Sequence, residues 1–478
     1  MTDHFDLTAL HDLGLRLGLD AARYTGSVEH ERTIAAVEAE LDGIAGVTVT
    51  TDEFEILRWT PTGSLEEAGQ LSPDGQVLRP AGAVPYSHPS TSTGELLHVP
   101  SSEPITAAVK GKVVLRDFPA FLIPYDAILA ERLPGSRVDD LLGGMWDRPG
   151  FADQVLHEEL LAAATHGALG VVVAFDLPRE QLVGYFEPHK GTHMAIPAVF
   201  VGSDERERLL AGGTVTIGVQ ATTERVMTRN VVATLPGASD EKLVLLTHTD
   251  GNTWVQENGT VAVLALARSL AQQQERRRTV ELVFTSAHLH ISREGAQRYS
   301  LAADPEPIAA VIALEHLGTR EIVPVPRESR PGRELVHTGD AEMLIWCVGP
   351  SNAMRSAVAD AVERHALPRT AVLPGINPSP SGQVPHHGSF GGIGTYFHRN
   401  LLPTTSLISG PWSLWASSFG VDAIDFALFR QQLLAVADVI AQLDELPRDQ
   451  LLGDYAQLRE QRANGAPTWP EEHPPEVA

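Results

Sequence analysis

Apolar positions along the chain fall into two regimes. Near the N-terminus, "SVEHERTIAAVEAELDGIAG" spaces Ile34, Val37, Leu41 and Ile44 three and four residues apart, the stripe of a helix packed on one face. "LHDLGLRLG" before it reads as a shorter helix, and Ser27 with Glu29 and Glu31 suits an N-terminal cap. "VTVTTDEFEIL" alternates with period two and predicts a strand. From about residue 60 the elements shorten and Gly, Pro and Ser become frequent. "GELLHV", "GKVVLRDF", "ALGVVVAFD" and "IPAVFVG" read as short strands around one helix, "FADQVLHEELLAAATHG". After "TTERVMTRNVVATLPG" the longer rhythm resumes. Strand "KLVLLTH" precedes a helix over 259–275, "TVELVFTSA" a helix over 292–302, and "IAAVIALEHLG" a helix over 351–365; "TTSLISG" and a long helix over 422–445 follow.

Strands alternating with helices predict an α/β fold, a mostly parallel mixed sheet with helices on both faces. The expected organisation is a discontinuous α/β domain (1–59 and 225–445), a β-rich insertion (60–224), and a polar, loosely held C-terminal tail (446–478).

Charge and composition remove several functions. Among 478 residues, 36 basic against 61 acidic side chains give a net charge of −25, which excludes the basic surface that nucleic acid requires. The single cysteine, Cys347, rules out an intramolecular disulfide framework. No stretch reaches the ~18–20 uninterrupted apolar residues of a membrane span, and the acidic start lacks signal-peptide character. A cytoplasmic protein acting on a small molecule or peptide is the expectation, with self-association left open.

Ligands of an open α/β sheet bind at the carboxyl ends of its strands, and there this chain gathers chemistry. One strand ends in His248-Thr249-Asp250, with Glu257 in "VQENGT" before the next helix; another ends in "AHLH", giving His288 and His290; a third ends in Glu315-His316. Imidazoles and carboxylates converging from three strand ends are what a Zn²⁺ site needs. "GQVPHHGSF" adds His386 and His387.

The order "RYTGSVEHERTI", strand, β-rich insertion, "NVVATLPG", strand-His-x-Asp, acid-Asn-Gly and "VIALEHLG" resembles the co-catalytic zinc aminopeptidases that carry a protease-associated domain, relatives of aminopeptidase S and glutamate carboxypeptidase. The resemblance spans roughly residues 8–445. It implies His248 as a zinc ligand, Asp250 as the carboxylate that orients it, and Glu257 and Glu315 as ligands standing where the family has Asp. It implies the insertion is protease-associated.

Two departures change the expectation. Where the family has a Glu-Glu pair, general base then second-zinc ligand, this chain has His288-Leu289; where the family has a late histidine it has "ISGPWSLWASSFG". One metal rather than two is therefore expected, held by His248, Glu257 and Glu315, with His288 as the proton-transferring group. For His290, His316, His386 and His387 the structural reading is preferred. The resulting expectation is a metal-dependent hydrolase of an amide or peptide-type bond. The alternatives are a catalytically silent binding protein and a cyclase-like enzyme on the same fold.

Overall fold

The main sheet has eight strands, in the spatial order Thr48–Pro61, Ala221–Leu235, Arg278–Thr285, Ser239–His248, Ile308–Leu314, Thr404–Ser409, Leu344–Val348, Thr370–Leu373. The structure, a computed structural model, describes residues 4–118, 122–150, 152–186, 192–273, 275–292, 294–386, 388–415 and 417–469. The four central strands run parallel, and the two strands beyond each side bring antiparallel pairings, so the sheet is mixed.

Side-chain alternation along these strands separates two cores. Val244, Leu246, Val283, Val311 and Ala313 pack against Ala296, Tyr396 and Phe397 of the helices Glu294–Ala302 and Thr395–Arg399. Leu243, Leu245, Leu282, Phe284, Ile312 and Leu314 face the helices Val28–Asp42, Gly259–Ala271, Asn352–Arg364 and Phe426–Glu445. Burial on both faces is why these strands read as continuous apolar runs. The helix Phe426–Glu445 is long and apolar enough to cross a membrane. Here its Leu433, Val436, Val439 and Leu443 are spent on the core.

A second sheet of seven strands is built wholly between Gly69 and Val219. Its stem is the antiparallel ribbon of Thr48–Pro61 with Ala221–Leu235, in register from Thr48↔Thr234 to Pro61↔Ala221.

The C-terminal segment departs from the loose tail expected. Helices Arg448–Leu452 and Tyr455–Ala463 are docked, and Thr468–Trp469 pairs with Val384–Pro385. Tyr455 is the anchor: fully buried, its hydroxyl meets His398 Nδ1 at 2.7 Å and accepts the Thr404 N–H at 3.2 Å. One aromatic in a polar stretch gives no periodicity to read. Residues 470–478 lie outside the described residues.

Two contacts fix the floor beneath the strand ends. Gly259 opens its helix so close to the neighbouring strand that a Cβ would stand 2.1 Å from the Leu314 carbonyl oxygen and 2.3 Å from Thr247 Oγ1. His30 on Val28–Asp42 accepts the Gly26 N–H at Nδ1 (3.0 Å), so its Nε2–H donates to Thr249 Oγ1 (2.8 Å). Burial pushes the His30 pKa down to about 4.

Gly259→Ala should cost about 1–3 kcal/mol in urea unfolding, the penalty of overpacking. The His30 shift sets a pH window. The unfolded imidazole takes up a proton below about 6.5 while the folded one stays neutral to about 4. Stability therefore falls as pH drops through that window, by up to ~3 kcal/mol from this group. His30→Gln should flatten the slope between pH 6.5 and 4 in urea titrations.

Candidate metal centre

Three consecutive strand ends reach a common space through unusual backbone. Non-glycine residues with positive φ occur in each of the three loops: Glu257 (+92°), Ala287 (+57°) and His316 (+57°). Such conformations cost roughly 1–3 kcal/mol each and persist where the surroundings enforce them. At His316 the effect on geometry is direct. Consecutive side chains of an extended strand point to opposite faces, and the left-handed turn at His316 brings its ring to the same space as Glu315.

His248, Glu315 and His316 each offer a ligand atom within 4.8 Å of the others, all three buried. Each is fixed so that one lone pair is left over. His248 Nδ1–H donates to the Asp250 carbonyl oxygen (2.9 Å) and lies 3.2 Å from Asp250 Oδ1, which leaves Nε2 unprotonated in the neutral ring and 3.4 Å from Glu315 Oε1. His316 Nδ1–H donates to the Ser409 carbonyl oxygen (2.8 Å). Glu315 Oε2 accepts the Ile393 N–H (2.6 Å). His248 Nε2, His316 Nε2 and Glu315 Oε1 have no hydrogen-bond partner although buried; Glu257 Oε2 shares that condition, but on the Nδ1 side of His248. Buried unsatisfied polar atoms are rare and costly, and three together fit a cation.

The remaining expected residues arrive nearby in different roles. Asp250 is wholly buried, and its Oδ2 accepts from Thr25 Oγ1 (2.6 Å) and Leu289 N–H (2.7 Å). Glu257 comes to the site but falls outside the group of three: Oε1 accepts from Thr247 Oγ1 (3.0 Å), and Oε2 sits 2.5 Å from His248 Nδ1, whose proton is already directed at Asp250. The His288 ring lies 4.1 Å from the His248 ring, tilted by 39°, with Nε2 3.6 Å from Glu315 Oε1. His290 is structural, accepting the Ser292 N–H at Nδ1 and donating from Nε2 to the Leu57 carbonyl oxygen. His386 is placed by its backbone against Trp469, and His387 lies outside the described residues. His316 is the residue that sequence reasoning set aside, since no periodicity announces a left-handed turn.

Electrostatics follow from burial and crowding. Burial opposes charge on His248, but Glu257, Asp250 and Glu315 outweigh it and hold the metal-free imidazole well above its usual pKa. Burial pushes the Glu257 carboxyl up to about 7 and the His316 imidazole down to about 4. Glu315 is held at about 2: burial opposes its charge, but the close approach of His248 Nε2 and the neighbouring His288 and His316 imidazoles outweigh it. An ionised carboxylate and a neutral imidazole are the forms that ligate metal.

The extra methylene of Glu315 is accommodated by Gly392 (φ +59°), where a Cβ would stand 2.0 Å from Oε2. The positions where the resemblance places second-zinc ligands are apolar. Leu289 is buried in the hydrophobic cluster of the second sheet, and Trp412, Leu414 and Trp415 are buried in the late loop.

No family model and no curated protein matches the sequence. Solved structures do match. BSAP, a zinc aminopeptidase from Bacillus subtilis, aligns at 15% identity and TM-score 0.63 over 93% of this chain and 97% of its own. The Peptidase M28 precursor from Shewanella amazonensis SB2B aligns at 15% identity and TM-score 0.63 over 93% of both chains. The aminopeptidase from Aneurinibacillus sp. strain AM-1 aligns at 16% identity and TM-score 0.57 over 92% and 94%. At such identities the likeness is one of architecture, and it extends over nearly the whole length: the chain has the fold of the M28 zinc aminopeptidases.

Proposed function

We propose that the chain is a metal-dependent hydrolase that cleaves an amide or peptide-type bond using a single divalent ion, zinc by the chemistry of its donors. The observation that carries this reading is the meeting of three buried, unpartnered atoms: His248 Nε2, Glu315 Oε1 and His316 Nε2. Two histidines and a glutamate are the donor set of hydrolytic rather than structural zinc. Glu257 is outside the set, and His316 stands in its place.

A bound ion would supply Lewis acidity to the scissile carbonyl and lower the pKa of a water molecule. The chain's own groups do the rest. The Asp250 carbonyl and carboxylate hold the His248 tautomer, Ile393 N–H aims Glu315, and the Ser409 carbonyl aims His316. His288, beside Glu315 Oε1, accepts a proton from the attacking water and returns it to the leaving nitrogen.

The insertion is proposed as a protease-associated lid. Gly184 and Trp415 carbonyls share the Asn252 amide, Phe186 N–H donates to the Trp415 carbonyl oxygen, and Tyr86 stacks edge-on against His290. These contacts tie the second sheet to the loops around the site.

Elemental analysis after dialysis against dilute Zn²⁺ should give one ion per chain. His248→Ala and His316→Ala should each abolish it, while Glu257→Gln should retain it. Two tightly held ions, or loss of metal in Glu257→Gln with retention in His316→Ala, would refute this ligand set. No metal and no activation by Zn²⁺, Mn²⁺ or Co²⁺ would refute the hydrolase reading in favour of a silent binding protein.

A further inference from the structure

The N-terminal segment grips the loop that follows His248. Arg23 and Gly251 exchange backbone hydrogen bonds (2.6 and 3.0 Å), and the buried Arg23 guanidinium donates to the carbonyls of Thr253 and Gln256. Two residues on, Thr25 is 3% exposed and its Oγ1 lies 2.6 Å from Asp250 Oδ2, with the Leu289 carbonyl oxygen a longer second acceptor at 3.2 Å. A hydroxyl has one proton, and the shorter, charge-assisted contact takes it. Together with the Leu289 N–H at 2.7 Å, Thr25 saturates Oδ2 and leaves Oδ1 facing His248 Nδ1.

We propose that Thr25, more than two hundred residues away in sequence, is a positioning residue for His248 and acts through Asp250. Without its hydroxyl, Oδ2 keeps a single donor in a site closed to water, and the carboxylate is free to rotate away from Nδ1. The imidazole then loses one of the two Asp250 acceptors, the carboxylate beside the backbone carbonyl, that set which nitrogen carries the proton. The inference rests on the metal reading above, which assigns His248 Nε2 as a ligand.

The test is a Zn²⁺ competition titration against a chromophoric chelator, with Co²⁺ absorption reporting ligand geometry. Thr25→Val keeps the shape and removes the donor; it should weaken Zn²⁺ binding about tenfold, the lower end for loss of an outer partner, and shift the Co²⁺ bands. Thr25→Ser restores the hydroxyl and should bind within about twofold of wild type. In an Asp250→Asn background, Thr25→Val should add nothing, because residues acting through one contact are non-additive. Wild-type affinity in Thr25→Val, equal loss in Thr25→Ser, or full additivity with Asp250→Asn would overturn the proposal and leave the metal reading standing. A wild-type protein that binds neither ion would overturn both.

Discussion

The turn at His316 is the constraint on which the centre depends. A strand delivers consecutive side chains to opposite faces, so Glu315 and His316 share one space only because His316 adopts a left-handed conformation. The strain is offset by what surrounds it. The Ser409 carbonyl takes the ring N–H, Ser409 Oγ donates to the His316 carbonyl oxygen, and Thr319 bonds that hydroxyl in turn. The turn is therefore overdetermined by the neighbouring strand Thr404–Ser409, and the ring's second nitrogen is held with nothing to bond inside the protein.

A buried lone pair of this kind is unfavourable alone and useful in company. His248 and Glu315 present the same condition, each fixed by a partner on its far side. The design is economical in residues and spread over the sequence: Thr25, Asp250, Ile393 and Ser409 come from four separate segments. Gly392 adds the room that a glutamate needs where the resembling family has an aspartate.

Architecture was legible in the chain because both-face burial writes itself as continuous apolar strands. The helices between them carry stripes, and caps such as Ser27 mark their starts. His248, Asp250, Glu257, His288 and Glu315 were found as strand-end residues, and the structure brings all five together. What the sequence hid depends on single dihedral angles and distant contacts. Glu257 shares a site with Glu315, yet faces His248 Nδ1 rather than Nε2, which no spacing rule distinguishes. His316 carries no signal of its left-handed turn, so the structural reading is the one its sequence favours. The docked C-terminal segment depends on Tyr455, one side chain in a polar run.

A single ion on the Nε2 side of His248 would satisfy all three unpartnered ligand atoms at once. Anomalous diffraction at the zinc edge from crystals soaked in Zn²⁺ measures this directly. The expected result is one peak in the site, within ligating distance of His248 Nε2, Glu315 Oε1 and His316 Nε2, with Glu257 outside that shell. Two peaks bridged by Glu257, or a site with His316 turned away from the ion, would contradict it.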